Sequence, residues 1–306
     1  MRKIMTAAVL LSLAFCAALY ADSTTDIQAY QDVENPGNAT KNIQEEMSGN
    51  EQAVRSVTGP KKGLQLNRLG QVLLIPESTA DVVGMYDPDS GAFLGNLITN
   101  SPALMSTPIN AVQGPDNNIY LSDQVSDAVF VYDTTGVYLY TYADASDGLD
   151  NVRGFDFRDG HLFITHGASP YYVKEFSGPH TFVRNFITGY SPFDILFLED
   201  GRCLVSDITG DSVSLHDTSG TFISQVIYSD FPEQIQFDEV LPGAFLNVAF
   251  SDNVAIDFEL SGTIVSTLPY AGGPRGIYRL GNGNLLATNG TGIHVLDPTT
   301  GAILQT

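Results

Sequence analysis

The sequence predicts an all-β fold, a six-bladed β-propeller with four antiparallel strands in each blade. Three observations carry this expectation. A unit recurs six times from residue 60 onward, at steps of 40 to 47 residues. Each unit holds two turn signatures between apolar runs. The runs read as period-two strands, as in Ala128-Val129-Phe130-Val131-Tyr132, where a helical solenoid of similar length would space its apolar residues by 3.6.

The first signature is a tight turn that opens a short apolar strand. It appears as Leu69-Gly70-Gln71-Val72, Asp116-Asn117-Asn118-Ile119, Asp159-Gly160-His161-Leu162, Asp200-Gly201-Arg202-Cys203, Pro242-Gly243-Ala244-Phe245 and Asn282-Gly283-Asn284-Leu285. Asp-Gly and Asn-Gly pairs accept the left-handed backbone of tight hairpin turns, so each marks a strand pair. The second signature closes a strand with a polar residue and a glycine: Asp87-Pro88-Asp89-Ser90-Gly91, Asp133-Thr134-Thr135-Gly136, Ser177-Gly178, Asp217-Thr218-Ser219-Gly220, Ser261-Gly262 and Asp297-Pro298-Thr299-Thr300-Gly301. Two hairpins in about 42 residues make one four-stranded blade. A blade alone cannot cover its apolar faces, so six must close into a ring.

The ring is expected to span 59–306. Its first unit begins at Gly59-Pro60-Lys61-Lys62-Gly63, which parallels Gly273-Pro274-Arg275-Gly276 in the sixth. The last unit runs through Ala302-Ile303-Leu304 and so supplies its own outer strand. Closure by exchanging a strand between the ends is not required, and the seam between blades one and six should rest mainly on apolar packing.

Ahead of the ring, Met1-Arg2-Lys3 and the apolar run to Ala21 have the form of a secretory signal peptide, 1–21. Residues 22–58 read as a flexible polar leader. The chain is therefore expected to be secreted or periplasmic, with no membrane insertion after cleavage. Cys16 would leave with the signal; Cys203, in Arg202-Cys203-Leu204-Val205, reads as a buried inert thiol. The formal net charge of −21 becomes −23 without Arg2 and Lys3, a surface that repels phosphate backbones and anionic lipids. Nucleic acid is excluded as a partner class on that ground. Asn38-Ala39-Thr40 and Asn289-Gly290-Thr291 match glycosylation sequons.

The blade-opening Pro108, Pro192 and Pro274, the turn pairs above, and Leu121-Ser122-Asp123 with Val205-Ser206-Asp207 make the chain similar to the NHL-repeat and related six-bladed propellers of the TolB-like group. The resemblance covers roughly residues 60 to 306. It implies fold rather than activity, because one propeller scaffold carries unrelated functions.

Ligands of propellers usually sit where the innermost strands open onto the central channel. Counting back from the turn aspartates aligns Pro108, Asn151, Pro192 and Pro274, so the next positions supply the candidates Asn110, Arg153, Asp194, Gln234 and Arg275. Calcium-dependent lactonases and arylesterases of the gluconolactonase and paraoxonase type are also six-bladed. That similarity would imply calcium held by Asn110 and Asp194 with help from Gln234, since calcium takes hard oxygen ligands. Lys61-Lys62 and the two arginines depart from that pattern. The same arginines suggest instead a fork for a carboxylate or sugar acid, with Asp194 pairing one of them. The remaining reading is that these groups neutralise one another in the channel.

Asp123, Asp207, His166 and Asn289 recur in phase after the second strand and read as turn caps. The five histidines show no zinc spacing, and neither a Gly-x-Ser-x-Gly elbow nor a phosphate loop occurs. The tyrosines of Tyr138-Leu139-Tyr140-Thr141-Tyr142 read as packing between blades with their hydroxyls in water, or as a carbohydrate or partner face. The leading expectation is a secreted non-catalytic propeller with no cofactor, binding a protein, a glycan or a small anionic ligand at one end of the ring. The alternatives are a calcium-dependent lactonase or arylesterase and a propeller lyase with a histidine-centred site.

Overall fold

Each turn signature within the described residues starts or ends a strand in the computed structural model, which describes residues 72–100, 103–238 and 240–306. The signal-like run, the polar leader and the start of the ring at Gly59 lie outside the described residues. The chain is all-β, with six blades of antiparallel strands arranged in chain order from the axis outward. Blade one contributes β1 (Leu73–Glu77), β2 (Val82–Tyr86) and β3 (Phe93–Ile98) among the described residues. Blade two is β4 (Pro108–Gln113), β5 (Ile119–Asp123), β6 (Ala128–Tyr132) and β7 (Tyr138–Ala143). Blade three is β8 (Val152–Arg158), β9 (His161–His166), β10 (Tyr172–Phe176) and β11 (Phe182–Thr188). Blade four is β12 (Pro192–Phe197), β13 (Cys203–Asp207), β14 (Ser212–His216) and β15 (Phe222–Tyr228). Blade five is β16 (Pro232–Phe237), β17 (Ala244–Ala249), β18 (Val254–Glu259) and β19 (Ile264–Pro269). Blade six is β20 (Gly276–Arg279), β21 (Leu285–Asn289), β22 (Gly292–Leu296) and β23 (Ile303–Gln305), so the last strand belongs to its own blade.

The inner three strands of a blade are buried on both faces, which is why they read as continuous apolar runs; β5, β6, β13 and β14 are buried throughout. The core consists of the layers between neighbouring blades. One cluster joins Leu73 and Ile75 of blade one to Leu280, Leu286 and Leu296 of blade six. The seam is therefore apolar as expected, and it carries hydrogen bonds as well: Gly281 N–H donates to Pro88 O at 3.0 Å and Asn282 N–H to Asp89 O at 3.2 Å. Cys203 is fully buried, and burial pushes its thiol well above the ordinary range, as an inert cysteine requires. The tyrosines of β7 pack as well: Tyr142 lies against Tyr120 at 5.5 Å and Tyr138 against Tyr132 at 5.8 Å.

Across all six outermost strands the only charged residue is Arg184. Uncharged edges invite pairing with another chain. Here each outermost pair carries at least one register shift, between Val83 and Gly84, Val129 and Phe130, Val173 and Lys174, Val213 and Ser214, Asp257 and Phe258, and Val295 and Leu296. Such bulges twist an edge and interrupt the ladder that a second chain would need.

Candidate functional site

The inner strands begin at the end of the ring where the blade-to-blade connectors cross, and their pairing sets the phase of the candidate residues. Pro108 pairs with Asp123, Val152 with His166, Pro192 with Asp207 and Pro232 with Ala249. Blade three thus opens at Val152, one residue later than the sequence alignment on Asn151. The cause is local: Asn151 adopts φ +55° and its N–H is held by Asp127 Oδ1 at 2.6 Å, so it ends the connector rather than starting the strand. With that correction Arg153 and Arg275 fall in phase with each other, and the predicted set divides between two levels.

Among the described residues the upper level holds Ile109, Arg153, Phe193, Glu233 and Arg275, and the position from blade one lies outside them. Ile109 and Phe193 share one apolar cluster although blade three separates their blades, which places both side chains at the axis. Arg153 is 2% exposed; its guanidinium lies 5.6 Å from the Phe193 ring centroid and its Nε donates to Asn151 Oδ1 at 3.2 Å. Arg275 Nη1 donates to Glu233 Oε1, and its guanidinium stacks 4.2 Å from the Phe250 centroid. The side chains of Arg275 and Glu233 are 1% and 0% exposed. Among the described residues this level therefore holds an apolar contact and a buried ion pair, and the carboxylate of that pair is Glu233. The expectation that Asp194 pairs with an arginine is corrected by this geometry.

The lower level holds Asn110, Asp194 and Gln234, and its task is to join blades. Asn110 Nδ2 donates to Phe155 O of blade three at 3.4 Å. Asp194 accepts the N–H of Ile195 at 2.9 Å and that of Ile235 in blade five at 3.0 Å. Gln234 Oε1 accepts the N–H of Ile277 in blade six at 2.8 Å. Asp156, which the sequence reading missed, does the same between Phe157 at 2.6 Å and Phe197 of blade four at 2.7 Å. These side chains replace the ladder hydrogen bonds that adjacent blades cannot make with each other. A second row supports them: the hydroxyls of Ser122, Thr165 and Ser206 donate to the carbonyls of Arg153, Phe193 and Glu233 in the following blade. As for calcium, both oxygens of Asp194 and the oxygen of Gln234 already accept amides, leaving Asn110 Oδ1 as the oxygen of that trio without a donor. One oxygen does not meet calcium's need for six or more, so these residues do not fit the ion.

Full burial pushes the Asp194 carboxyl up to about 7, against the pull of its two amide donors. A raised carboxyl is more readily protonated in the folded chain than in the unfolded one. The stability it contributes is complete below about pH 4 and is lost as pH rises through about 7. Asp257, up to about 6 through burial and the neighbouring Asp238, acts in the same direction. Urea unfolding from pH 4 to 8 should show the parent chain losing stability relative to Asp194→Asn, by at most about 1.4 kcal/mol per pH unit. A pH-independent difference would contradict the raised carboxyl.

The in-phase polar residues are caps, as expected. Asp123 accepts the N–H groups of Ser106 at 2.7 Å and Thr107 at 2.9 Å, Asp207 that of Ser191 at 3.0 Å, and His166 Nδ1 that of Asp150 at 3.0 Å. Asn289 is buried, with its Nδ2 on Ala271 O at 2.7 Å, so the second sequon is closed to modification. None of the five histidines lies on an innermost strand. Three metal-ligating side chains do come together elsewhere. Asp144, Asp147 and His180 lie between blades two and three, where Asp144 and Asp147 cap a 3-10 turn and His180 Nδ1 is 2.7 Å from Asp147 Oδ2.

No protein-family model matches the sequence, and no curated protein sequence matches it. Solved structures do match in fold. A gluconolactonase from Xanthomonas campestris superposes with a TM-score of 0.62 at 11% identity, over 85% of this chain and 86% of that one. A chain from the nidogen/laminin complex gives 0.57 at 14% identity, over 68% and 80%. A streptogramin B lyase gives 0.54 at 11% identity, over 84% and 93%. At these identities the likeness establishes the propeller fold, and activity has to be argued from this chain's own residues.

Proposed function

We propose that the chain is a secreted or periplasmic, non-catalytic propeller that binds a protein partner on the connector face of its ring. The observation that carries this reading is that the candidate residues are already engaged within the protein: Arg275 is buried against Glu233, and Asp194 and Gln234 accept backbone amides of the following blades. The apolar start after Arg2-Lys3 supports export. The small-anion reading loses support because Arg275 is neutralised from within the protein.

The two enzymatic readings meet specific obstacles. The trio expected to hold calcium is engaged with backbone amides, and a histidine-centred lyase would need an imidazole at the axis, where this chain has none among the described residues. Calcium and then EDTA, added to the purified protein, should leave both Tm and the rates of lactone and aryl-ester hydrolysis at background. Calcium-dependent turnover would overturn the binding reading.

A further inference from the structure

On the connector face, blades four and five share a surface where an apolar pair meets acidic side chains. The connector 229–231 runs between the turn 208–211, which joins β13 to β14, and the turn 250–253, which joins β17 to β18. Phe231 N–H donates to Asp211 Oδ1 at 3.2 Å, Phe250 N–H to Phe231 O at 3.0 Å and Ser251 N–H to Asp230 O at 3.3 Å. These bonds fix the rings of Phe231 and Phe250 5.4 Å apart, both half-buried, next to the half-buried Ile208. Tyr228 stands 60% exposed at the margin.

Three carboxylates surround this apolar pair. Burial and the charges of Asp211 and Asp252 raise the Asp230 carboxyl, which places all three within electrostatic reach of one another. Among the described residues no basic side chain pairs with these three carboxylates. Between Arg202 and Arg275 the sequence contains no lysine or arginine and ten aspartates and glutamates. Arg275 itself lies beneath Phe250 and is paired with Glu233. An apolar patch with a one-signed rim selects a partner of opposite charge, because like charges across an interface cost several kcal/mol.

We propose that this patch binds a protein segment in which lysine or arginine alternates with apolar residues, the cation entering among Asp211, Asp230 and Asp252 and the apolar side chain resting on Phe231 and Phe250. The inference rests on the reading that the connector face is a protein-binding surface, and it names the partner's chemistry. A second copy of this chain is disfavoured by its own charge of −21.

Fluorescein-labelled hexapeptides Lys-Leu-Lys-Leu-Lys-Leu, Glu-Leu-Glu-Leu-Glu-Leu and Ser-Leu-Ser-Leu-Ser-Leu are titrated with the full chain and followed by anisotropy. The lysine peptide should bind saturably and more weakly as salt rises. The double variant Asp211→Asn/Asp252→Asn retains the Oδ1 acceptor for Phe231 and should weaken binding at least tenfold. Asp133→Asn/Asp217→Asn, in turns at the opposite end of the ring, should change it less than twofold. Equal losses in both double variants would reduce the effect to bulk charge and overturn the proposal. Equal binding of the serine or glutamate peptide, abolished by Phe250→Ser, would overturn the cationic preference while leaving a protein-binding face in place. Binding of none of the three would overturn the proposal outright.

Discussion

Glu233→Ala should lower the unfolding free energy by about 3–5 kcal/mol, because it removes the carboxylate and leaves the Arg275 guanidinium held inside the ring at 1% exposure. The cost arises from breaking a buried pair, so it should shrink when both members are replaced by apolar groups. Glu233→Leu/Arg275→Leu is expected to be more stable than either single alanine variant, since apolar groups of similar volume often replace a buried pair at little cost. Urea unfolding of the two singles and the double tests both statements. A loss below about 1 kcal/mol for Glu233→Ala would show that the pair contributes no more than a surface salt bridge.

Gly220→Ala should cost about 3 kcal/mol, which exceeds the ordinary penalty for alanine in a left-handed turn of about 1–2 kcal/mol. Gly220 has φ +91°, and a Cβ there would come within 2.2 Å of Phe186 O, a backbone atom of the preceding blade. The effect recurs around the ring: Gly136 approaches Leu97 O at 2.0 Å and Gly301 approaches Pro269 O at 2.5 Å. Alanine there must push two blades apart as well as strain its own turn. Gly160 is the control, with φ +80° and nothing within 4 Å of its Cβ position, and Gly160→Ala should cost only about 1 kcal/mol. Equal costs at the two positions in thermal or urea unfolding would show that the turn conformation alone demands glycine. The second turn signature is thus more than a hairpin mark. In five of the six units its glycine is a point of blade-to-blade contact: four lie against the carbonyls of Leu97, Phe186, Val226 and Pro269, and Gly91 lies against side chains of blade six.

The candidate site was less legible than the fold. All five chosen residues do lie at the inner-strand openings, because the repeat phase locates that level within a residue. Their roles were not readable: Asp194 and Gln234 look like ligands in sequence, yet serve as acceptors for amides that sit 41 and 43 residues further on. The single-residue displacement in blade three separated Arg153 from Arg275, and it came from one left-handed asparagine whose N–H is claimed by Asp127. Glu233 and Asp156 were missed for a simple reason. Each is one acidic residue in an apolar strand, and only its distant partner gives it meaning.

What the sequence by itself determined was the number of blades, the place of the two signature turns of each blade among the described residues and the outer strand contributed by 303–305. Those features depend on turn chemistry and on period-two alternation, both of which act over fewer than ten residues. The tertiary structure alone decided which side chains meet at the axis and which surface carries concentrated charge. Asp211, Asp230 and Asp252 gather at one corner, and Arg275 finds Glu233, because ring closure brings the same level of successive blades together. That closure is set by the packing of whole blades against each other, and no local pattern encodes which residue of one blade will face a given residue of the next.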